Sequence, residues 1–549
     1  MTRPRRLFTT TLLAALVALT GVTLGTGAAS ARRATSGPTR GGTVRVAYTT
    51  NLAYLDPAQA YTDDWWLING TIFNGLYQLD RNGKPQLELA AAQPTISADR
   101  KTWTFKIRSD ARFSNGTPVT AEDFKYSITR SLDPHLKPAV SWGQPFDAGV
   151  FQGAQDFING KAKSVSGIQV VDAHTIRFVL TQPDAVFAYL MALTFNMVMP
   201  EAVVSKESED NVNRHPIGAG PFMLQSWQRG SQAVLVRNPH YFRTDRPYID
   251  KIIAYENVNA NLIALKVQKG EIDGFGNDQE VAASDLQQIS VDPKYSKYIV
   301  TASPASVTWL DLDVHVAPLN NLKVRQAIAM AIDRPRLVKL LGGNAIPATQ
   351  MFIPLDSQHD PALDQHPVYA YDPTKAAALV KASGYRGQSI QILYGTDSTY
   401  YAGMAPGIQQ QLQQIGLNVT LRGVSTTSLL ALGQPLTGHQ ASFALWSMDY
   451  PDGYDIYTGA LTCGANVSGG VIAAHYCDSG ADALVTKSQG LTLGSARDAL
   501  LRQAQTRILQ SAAHIPLVFV KSVEVVSPRV QGFYYQPAFG WQFENYWVQ

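Results

Sequence analysis

Trp103-Thr104-Phe105-Lys106-Ile107, followed by Phe113-Ser114-Asn115-Gly116-Thr117-Pro118-Val119-Thr120-Ala121-Glu122-Asp123-Phe124, decides the class of fold. The first five residues alternate apolar and polar, as a half-buried strand does. Asn115-Gly116 marks a turn. Thr120 has the character of an N-cap, and Glu122 and Asp123 place negative charge in the first helical turn, where backbone N–H groups lack partners. The same grammar recurs on either side. Thr43-Val44-Arg45-Val46-Ala47-Tyr48, after Gly41-Gly42, alternates like a strand. Val324 to Ile332 is apolar on one helical face and stops near Asp333-Arg334-Pro335. Thr374 to Ala382 and Ile408 to Ile415 repeat that pattern, each followed by a glycine (Gly384, Gly416) and then a strand. Helix, glycine and strand in alternation predict α/β layers rather than a sandwich or a helical bundle. There is no internal repeat and no low-complexity tract beyond the N-terminal leader.

Of the 549 residues 45% are hydrophobic and only 16% charged, with 42 Gly and 30 Pro. Those proportions exclude a disordered chain and a collagen-like one. The length allows roughly two to four domains, each able to bury a core. Net charge is +3, and no Lys/Arg block lies outside the extreme N-terminus. A nucleic-acid binder of this size would carry a basic stripe, so nucleic acid is not an expected partner.

Residues 1–31 read as an export leader. Arg3, Arg5 and Arg6 precede an uncharged, mostly apolar run from Leu7 to Leu24, then small residues ending Ala29-Ser30-Ala31. The competing reading, a single-span anchor, needs about 20 strongly apolar residues, and this run is diluted by Thr and Gly. Arg5-Arg6-Leu7-Phe8 also fits the twin-arginine pattern, with Pro4 and Thr9 as weak flanks. Removing the leader takes away three Arg and no acid, which leaves 43 basic and 43 acidic residues. A polar linker, residues 32–40, follows. No Cys lies near the cleavage site to carry a lipid anchor. The expected location is therefore the periplasmic or extracellular face of the cell membrane.

The only cysteines are Cys463 and Cys477. Two thiols cannot make a zinc site alone, and the spacing is not Cys-x-x-Cys. In an oxidising compartment they read as a disulfide closing a short loop, stabilising by roughly 3 kcal/mol in the chain-entropy model; two buried thiols are the alternative. The common catalytic and cofactor signatures are missing from the sequence. There is no Gly-x-Ser-x-Gly elbow, and no His is followed by Glu. Gly218-Ala219-Gly220 precedes Pro221 and reads as a turn, not a dinucleotide fingerprint. The ten His are scattered singly, so no metal is expected. Asp449, Asp452 and Asp455 recur every third residue, whereas a calcium loop places oxygens at alternate positions.

From Gly41 to the C-terminus the chain resembles the family 5 extracellular solute-binding proteins, the oligopeptide and dipeptide receptors of ABC importers. Five ordered blocks carry the resemblance: Gly41 to Val46 with Leu55-Asp56-Pro57; Trp103 through Phe124; His215-Pro216-Ile217-Gly218-Ala219-Gly220-Pro221-Phe222; Leu235-Val236-Arg237-Asn238-Pro239-His240-Tyr241; and Val324-Arg325-Gln326-Ala327-Ile328 running to Ile332-Asp333-Arg334. Most of these residues also read as scaffold: Arg237-Asn238-Pro239 as a turn between strands, Ile328 as core. The resemblance implies an α/β, two-lobed periplasmic-binding-protein-like fold with an extra subdomain in lobe I. By that analogy lobe I takes residues 41–84, 205–302 and 516–549, with the subdomain at 85–204, and lobe II takes 303–515. It further implies a non-catalytic, monomeric receptor without cofactor, delivering short peptides to ABC permease subunits. An oligosaccharide or other small solute is the alternative within the class, and a secreted enzyme or biosynthetic accessory protein on the same scaffold is the alternative outside it.

The resemblance places the ligand at Phe443-Ala444-Leu445-Trp446-Ser447-Met448-Asp449-Tyr450-Pro451-Asp452. In peptide-binding members an Asp three residues after such a Trp takes the peptide's α-ammonium group, and here that position is Asp449. A carboxylate opposite an ammonium in a closed, water-poor cleft interacts through a lower dielectric than at a surface; a solvated turn acid is the other reading. Trp446 is open to two readings, a flat wall for the ligand or core. Met448 lies between them, and Tyr61, Asp63, Trp65 and Trp142 fall in segments that face the cleft in relatives. Gly453 departs from the family, where Pro is common after the acid.

Overall fold

The computed structural model describes residues 37–60, 63–137, 143–276, 281, 283–426, 428–429, 440–466 and 474–549. Three sheets organise them. In the first, the strand Thr43–Ala47 lies between Lys251–Tyr255 and Gly274–Phe275 and runs parallel to both. Gln232–Arg237 and Phe222–Gln228 extend the sheet antiparallel beyond Lys251–Tyr255. Val44 and Val46 are fully buried, as the alternation predicted. The helix Ala260–Lys269 makes the crossover between the two parallel neighbours, capped by Asn259 and closed by Gly270 at φ 75°. The Gly218-Ala219-Gly220 turn seats this sheet against the helix Asp63–Ile72: Gly220 N–H donates to the Ile72 carbonyl at 2.8 Å, and a Cβ at either glycine would collide with the Ile72 backbone.

The second sheet is the inserted subdomain, four antiparallel strands in the order Thr95–Ile96, Thr102–Lys106, Thr175–Val179, Ile168–Asp172. Trp103, Phe105, Ile176 and Phe178 are buried along it. Thr120 caps the helix Ala121–Arg130 in a full capping box with Asp123. At the far end of that helix, Arg130 grips Asp56 with both terminal nitrogens, at 2.9 and 2.5 Å, and also reaches Glu209. The Leu55-Asp56-Pro57 block is thus scaffold, since Asp56 is the fully buried counter-ion of the subdomain.

The third sheet has six strands, ordered Ala345–Pro347, His514–Val520, Ser306–Leu312, Ala441–Ser447, Ser389–Gly395, Asn418–Val424. Helices Leu322–Ala331, Pro373–Ala382 and Thr399–Gln414 contribute to its core. The division placed between 515 and 516 falls inside the strand His514–Val520, which pairs within this sheet on both sides of that point. Two segments lead from it toward the first sheet, and they pair with each other: Ile299–Thr301 runs antiparallel to Val523–Val525. The helix expected at Ile408–Ile415 is only the second half of Thr399–Gln414, which carries Pro406 inside it. Burial of Tyr401, Met404, Ala405 and Ile408 overrides the breaker signal.

The subdomain also touches the third sheet's lobe. Tyr189 stacks on Tyr450 with ring centroids 5.4 Å apart, and Ala185 N–H donates to Gln489 Oε1 at 3.2 Å.

Candidate functional site: an interlobe cleft and the loop behind it

The six strands of the third sheet present one end to a cleft of about 490 Å³. Ser306 begins its strand there, Ser447 and Val520 end theirs, and Asn344, Asp397 and Thr426 come from the adjoining loops. Thr49 and Thr50, just past the carboxyl end of Thr43–Ala47, close it from the other lobe, and Lys521 to Glu524 of the crossing segment form its floor. Ligands in open α/β folds gather at such strand ends, and this volume lies inside the range of about 300–1,000 Å³ usual for small-ligand sites. Asp397 is held ionised: the Thr426 hydroxyl and backbone N–H donate to its Oδ1 at 2.6 and 2.7 Å, and these bonds keep its carboxyl below the usual range. Lys521 Nζ donates to the Gly343 carbonyl at 3.3 Å.

Along Ala441–Ser447 the pleat sends Leu445 and Ser447 into the cleft and Trp446 to the opposite face. Trp446 borders a second, small cavity with Val307, Met351, Asp356 and Asp455, while Met448 and Ala305 line both spaces. The loop after the strand is organised by its own acids. Asp452 caps the short helix Gly453–Ile456 and forms a two-pronged ion pair with Arg497, at 2.7 and 2.8 Å, with both side chains buried. Gln358 ties in from a third segment, donating to Asp452 Oδ2 at 3.1 Å and accepting from Gly453 N–H at 2.8 Å. Asp455 Oδ2 accepts from the Trp446 indole N–H and from the Asp449 backbone N–H, both at 2.9 Å. Asp449 is 6% exposed and Asp455 3%. Burial pushes the Asp455 carboxyl up to about 7 against the pull of those donors, and Asp356 is also raised well above the usual range by burial and by its acidic neighbours Asp452 and Asp455.

Of the residues singled out from sequence, Met448 lines the large cleft, Trp446 faces the small cavity from its strand, and Asp449 is buried on the loop that follows and lines neither space. Asp63 and Trp65 belong to the helix Asp63–Ile72, whose first turn is described by its backbone only. Tyr61 and Trp142 lie outside the described residues. Cys463 and Cys477 are joined in a disulfide with Cα atoms 4.4 Å apart. Nothing in the sequence singles out Arg497 or Gln358, and for Asp455 the Asp449-Asp452-Asp455 spacing says only that this is not a calcium loop. Among the described residues no group of three or more His, Cys, Asp or Glu is placed to hold a metal, and no helix is long and apolar enough to cross a membrane.

Two α/β lobes joined by paired crossing segments, with a solute-sized cleft at the strand ends, define a receptor of the periplasmic-binding class. Residues 84–468 match the family described as bacterial extracellular solute-binding proteins, family 5 Middle, and the chain belongs to that family. It is 26% identical over 512 residues to the glutathione-binding protein GsiB of Escherichia coli (strain K12), covering 91% of this chain and 94% of that one. It is 27% identical over 498 residues to the probable D,D-dipeptide-binding periplasmic protein DdpA of the same strain, covering 88% and 89%. The fold is shared with clavulanic acid biosynthesis oligopeptide binding protein 2, at a TM-score of 0.83 and 22% identity over 93% of this chain and 96% of that one. It is also shared with DppA from Helicobacter pylori in complex with the peptide STSA, at 0.77 and 22% identity over 93% and 99%.

Proposed function

We propose that this protein is an exported, non-catalytic receptor that captures short peptides between its lobes and hands them to the permease of an ABC importer. The observation that carries the reading is the interlobe cleft of about 490 Å³ in a solute-binding family member, with Asp397 and Lys521 of opposite charge on its walls. A zwitterionic peptide has one end for each sign. The names of the two curated relatives, one for glutathione and one for a D,D-dipeptide, support the same ligand class. Asp449 is the residue proposed to take the α-ammonium. Met448 separates the cleft from the cavity that Asp455 enters, so its displacement would open the loop to the ligand.

The test is a double cycle by calorimetry, with Asp449→Ala and wild type, each titrated with free and N-acetylated alanine peptides of two to five residues. Truncating one member of a buried ion pair costs about 2–5 kcal/mol, roughly 30-fold to several thousand-fold in Kd. Acetylation should weaken wild-type binding by a similar factor and hardly affect the variant, since both changes delete one interaction. Additive losses would remove Asp449 from the ammonium, and tight binding of an uncharged sugar would overturn the ligand class.

A further inference from the structure

Arg334, from the Ile332-Asp333-Arg334 block, is a buried cation without a counter-ion. It begins the helix Arg334–Leu340 and is only 7% exposed. Its Nε donates to the Pro516 carbonyl at 2.8 Å, and among the described residues its two terminal nitrogens make no hydrogen bond and no carboxylate pairs with it. Burial pulls the guanidinium down to about 10. Buried charges are normally paired, because an opposite charge or hydrogen bonds must offset the lost hydration. A second buried guanidinium, that of Arg325, reaches the same segment, donating to the Ser511 carbonyl at 3.1 Å and to the Leu319 carbonyl at 2.8 Å. Arg334 lines a cavity of about 10 Å³, room for one small atom or ion. His514 lines it too. Its Nδ1 donates to Asp311 Oδ1 at 2.7 Å, an oxygen that also accepts from the Trp309 indole at 2.6 Å, while its Nε2 is buried with no hydrogen-bond partner. The other titratable groups around the ring are engaged elsewhere. Tyr476 meets it edge-on, the Tyr369 hydroxyl donates to the Gln510 carbonyl, Asp364 takes the Thr349 hydroxyl on the outer side, and Asp313 is paired with His475. The cavity shares no lining residue with the interlobe cleft.

We propose that this cavity binds one small anion of the chloride class, held between the Arg334 guanidinium and His514 in its imidazolium form. A neutral imidazole with Nδ1–H toward Asp311 presents a lone pair at Nε2, which repels an anion; a second proton turns Nε2 into a donor. The step is therefore an uptake in which the anion and one proton enter together. The charges of the anion, Arg334, His514 and Asp311 then sum to zero. The volume admits a monatomic ion and excludes phosphate, sulfate or a peptide carboxylate. The anion would complete the fastening of the strand His514–Val520, which Arg334 already grips at Pro516 and which leads to Lys521 on the floor of the cleft. A water molecule, accepting from Arg334 and donating to neutral His514, is the rival occupant.

Bromide is the probe, since it is close to chloride in size and scatters anomalously. Crystals of the wild-type protein soaked in sodium bromide at pH 6 should show an anomalous peak between Arg334 and His514, and crystals of Arg334→Met should show none. In solution, the melting temperature at fixed ionic strength should rise and saturate as sodium chloride replaces sodium gluconate, as for a ligand that binds only the folded state. The affinity drawn from that rise should strengthen as pH falls from 8 to 6, by up to about tenfold per unit, because binding takes up a proton. His514→Gln keeps an N–H donor but has no proton to gain, so its chloride response should persist and lose its pH dependence. Arg334→Met should abolish the response whatever it does to the melting temperature itself; if that variant does not fold, the wild-type peak and response decide. Density at the site without anomalous signal, or a wild-type melting temperature indifferent to chloride, overturns the proposal in favour of water. A crystal peak without a response in solution marks an adventitious ion only and overturns it as well. A response that survives Arg334→Met places the anion elsewhere, and one that is independent of pH in the wild type removes the imidazolium.

Discussion

Two of the buried acid clusters, one in each lobe, are furnished differently. In lobe I, Glu88 and Glu544 meet around Tyr241, whose hydroxyl lies 3.1 Å from one and 2.8 Å from the other. Arg243 contacts both, and Asn74 donates to Glu88 at 2.6 Å. In lobe II, Asp455 accepts from the Trp446 indole and the Asp449 amide, and its neighbour Asp452 is paired with Arg497. The first pair is furnished with its own cation and ties the C-terminal segment to the subdomain. The second gives Asp455 neutral donors and Asp452 a guanidinium, and it sits beside the cleft.

The sharpest way to break this comparison is to remove the guanidinium paired with Asp452 in the lobe II loop. Arg497→Met leaves Asp452 buried and unpaired, although Gln358 and the Tyr454 N–H, 2.9 Å from Asp452 Oδ1, remain. The expected loss is about 3–5 kcal/mol of unfolding free energy, read from chemical denaturation at pH 7. Adding Asp452→Asn should recover part of it, because the neutral side chain no longer needs the partner. A loss below about 1 kcal/mol would mean that the Asp452–Arg497 pair is not what holds the loop.

A second way works through pH. Burial and the neighbouring Glu544 push Glu88 up to about 8, and burial pushes Asp455 up to about 7. Each then holds a proton in the folded state that the unfolded chain has already released above its ordinary value near 4. Unfolding therefore releases protons in that window, and stability falls as pH rises from about 5 to about 8. One such group contributes at most about 1.4 kcal/mol per pH unit. Glu88→Gln and Asp455→Asn should each flatten the profile, the first up to about pH 8 and the second up to about pH 7. A profile that neither substitution flattens would remove both carboxyls from the pH dependence of stability.

How much of this was readable in the chain depends on how local the cause is. The capping box at Thr120 and Asp123, the strand at Trp103 and the glycine-ended helix Pro373–Ala382 are decided within a few residues, and all three were legible. The helix Thr399–Gln414 was half missed because Gly403, Pro406 and Gly407 look like breakers. In the fold, the two glycines let the helix approach Leu341 and Leu340 closely. The site divides the same way. Trp446 and Asp449 stand in a recognisable strand-to-loop motif, but Arg497 reaches Asp452 from a distant helix that no local pattern announces. The acceptor role of Asp455 depends on a turn bringing its side chain back under Trp446, which spacing alone does not encode.

The smallest expected effect tests the lobe I pair. Arg243→Met removes the cation shared by Glu88 and Glu544, as Arg497→Met does for Asp452, yet the outcome should differ. Arg243 is about one-fifth exposed, so water takes over part of its role. Glu88 also already favours its proton near neutrality, and a protonated carboxyl can donate to Tyr241 while Tyr241 donates to Glu544. That arrangement satisfies both contacts of a hydroxyl that has only one proton of its own. The expected loss is on the order of 1–2 kcal/mol at pH 8, the scale of a hydrogen bond to a charged group. It should shrink toward zero at pH 5, where a proton on Glu88 replaces the missing charge. Melting curves at the two pH values measure this directly. A loss of equal size at both would show that Arg243 acts through packing of its side chain on Phe242, whose ring centre lies 5.3 Å from the guanidinium, and not through charge.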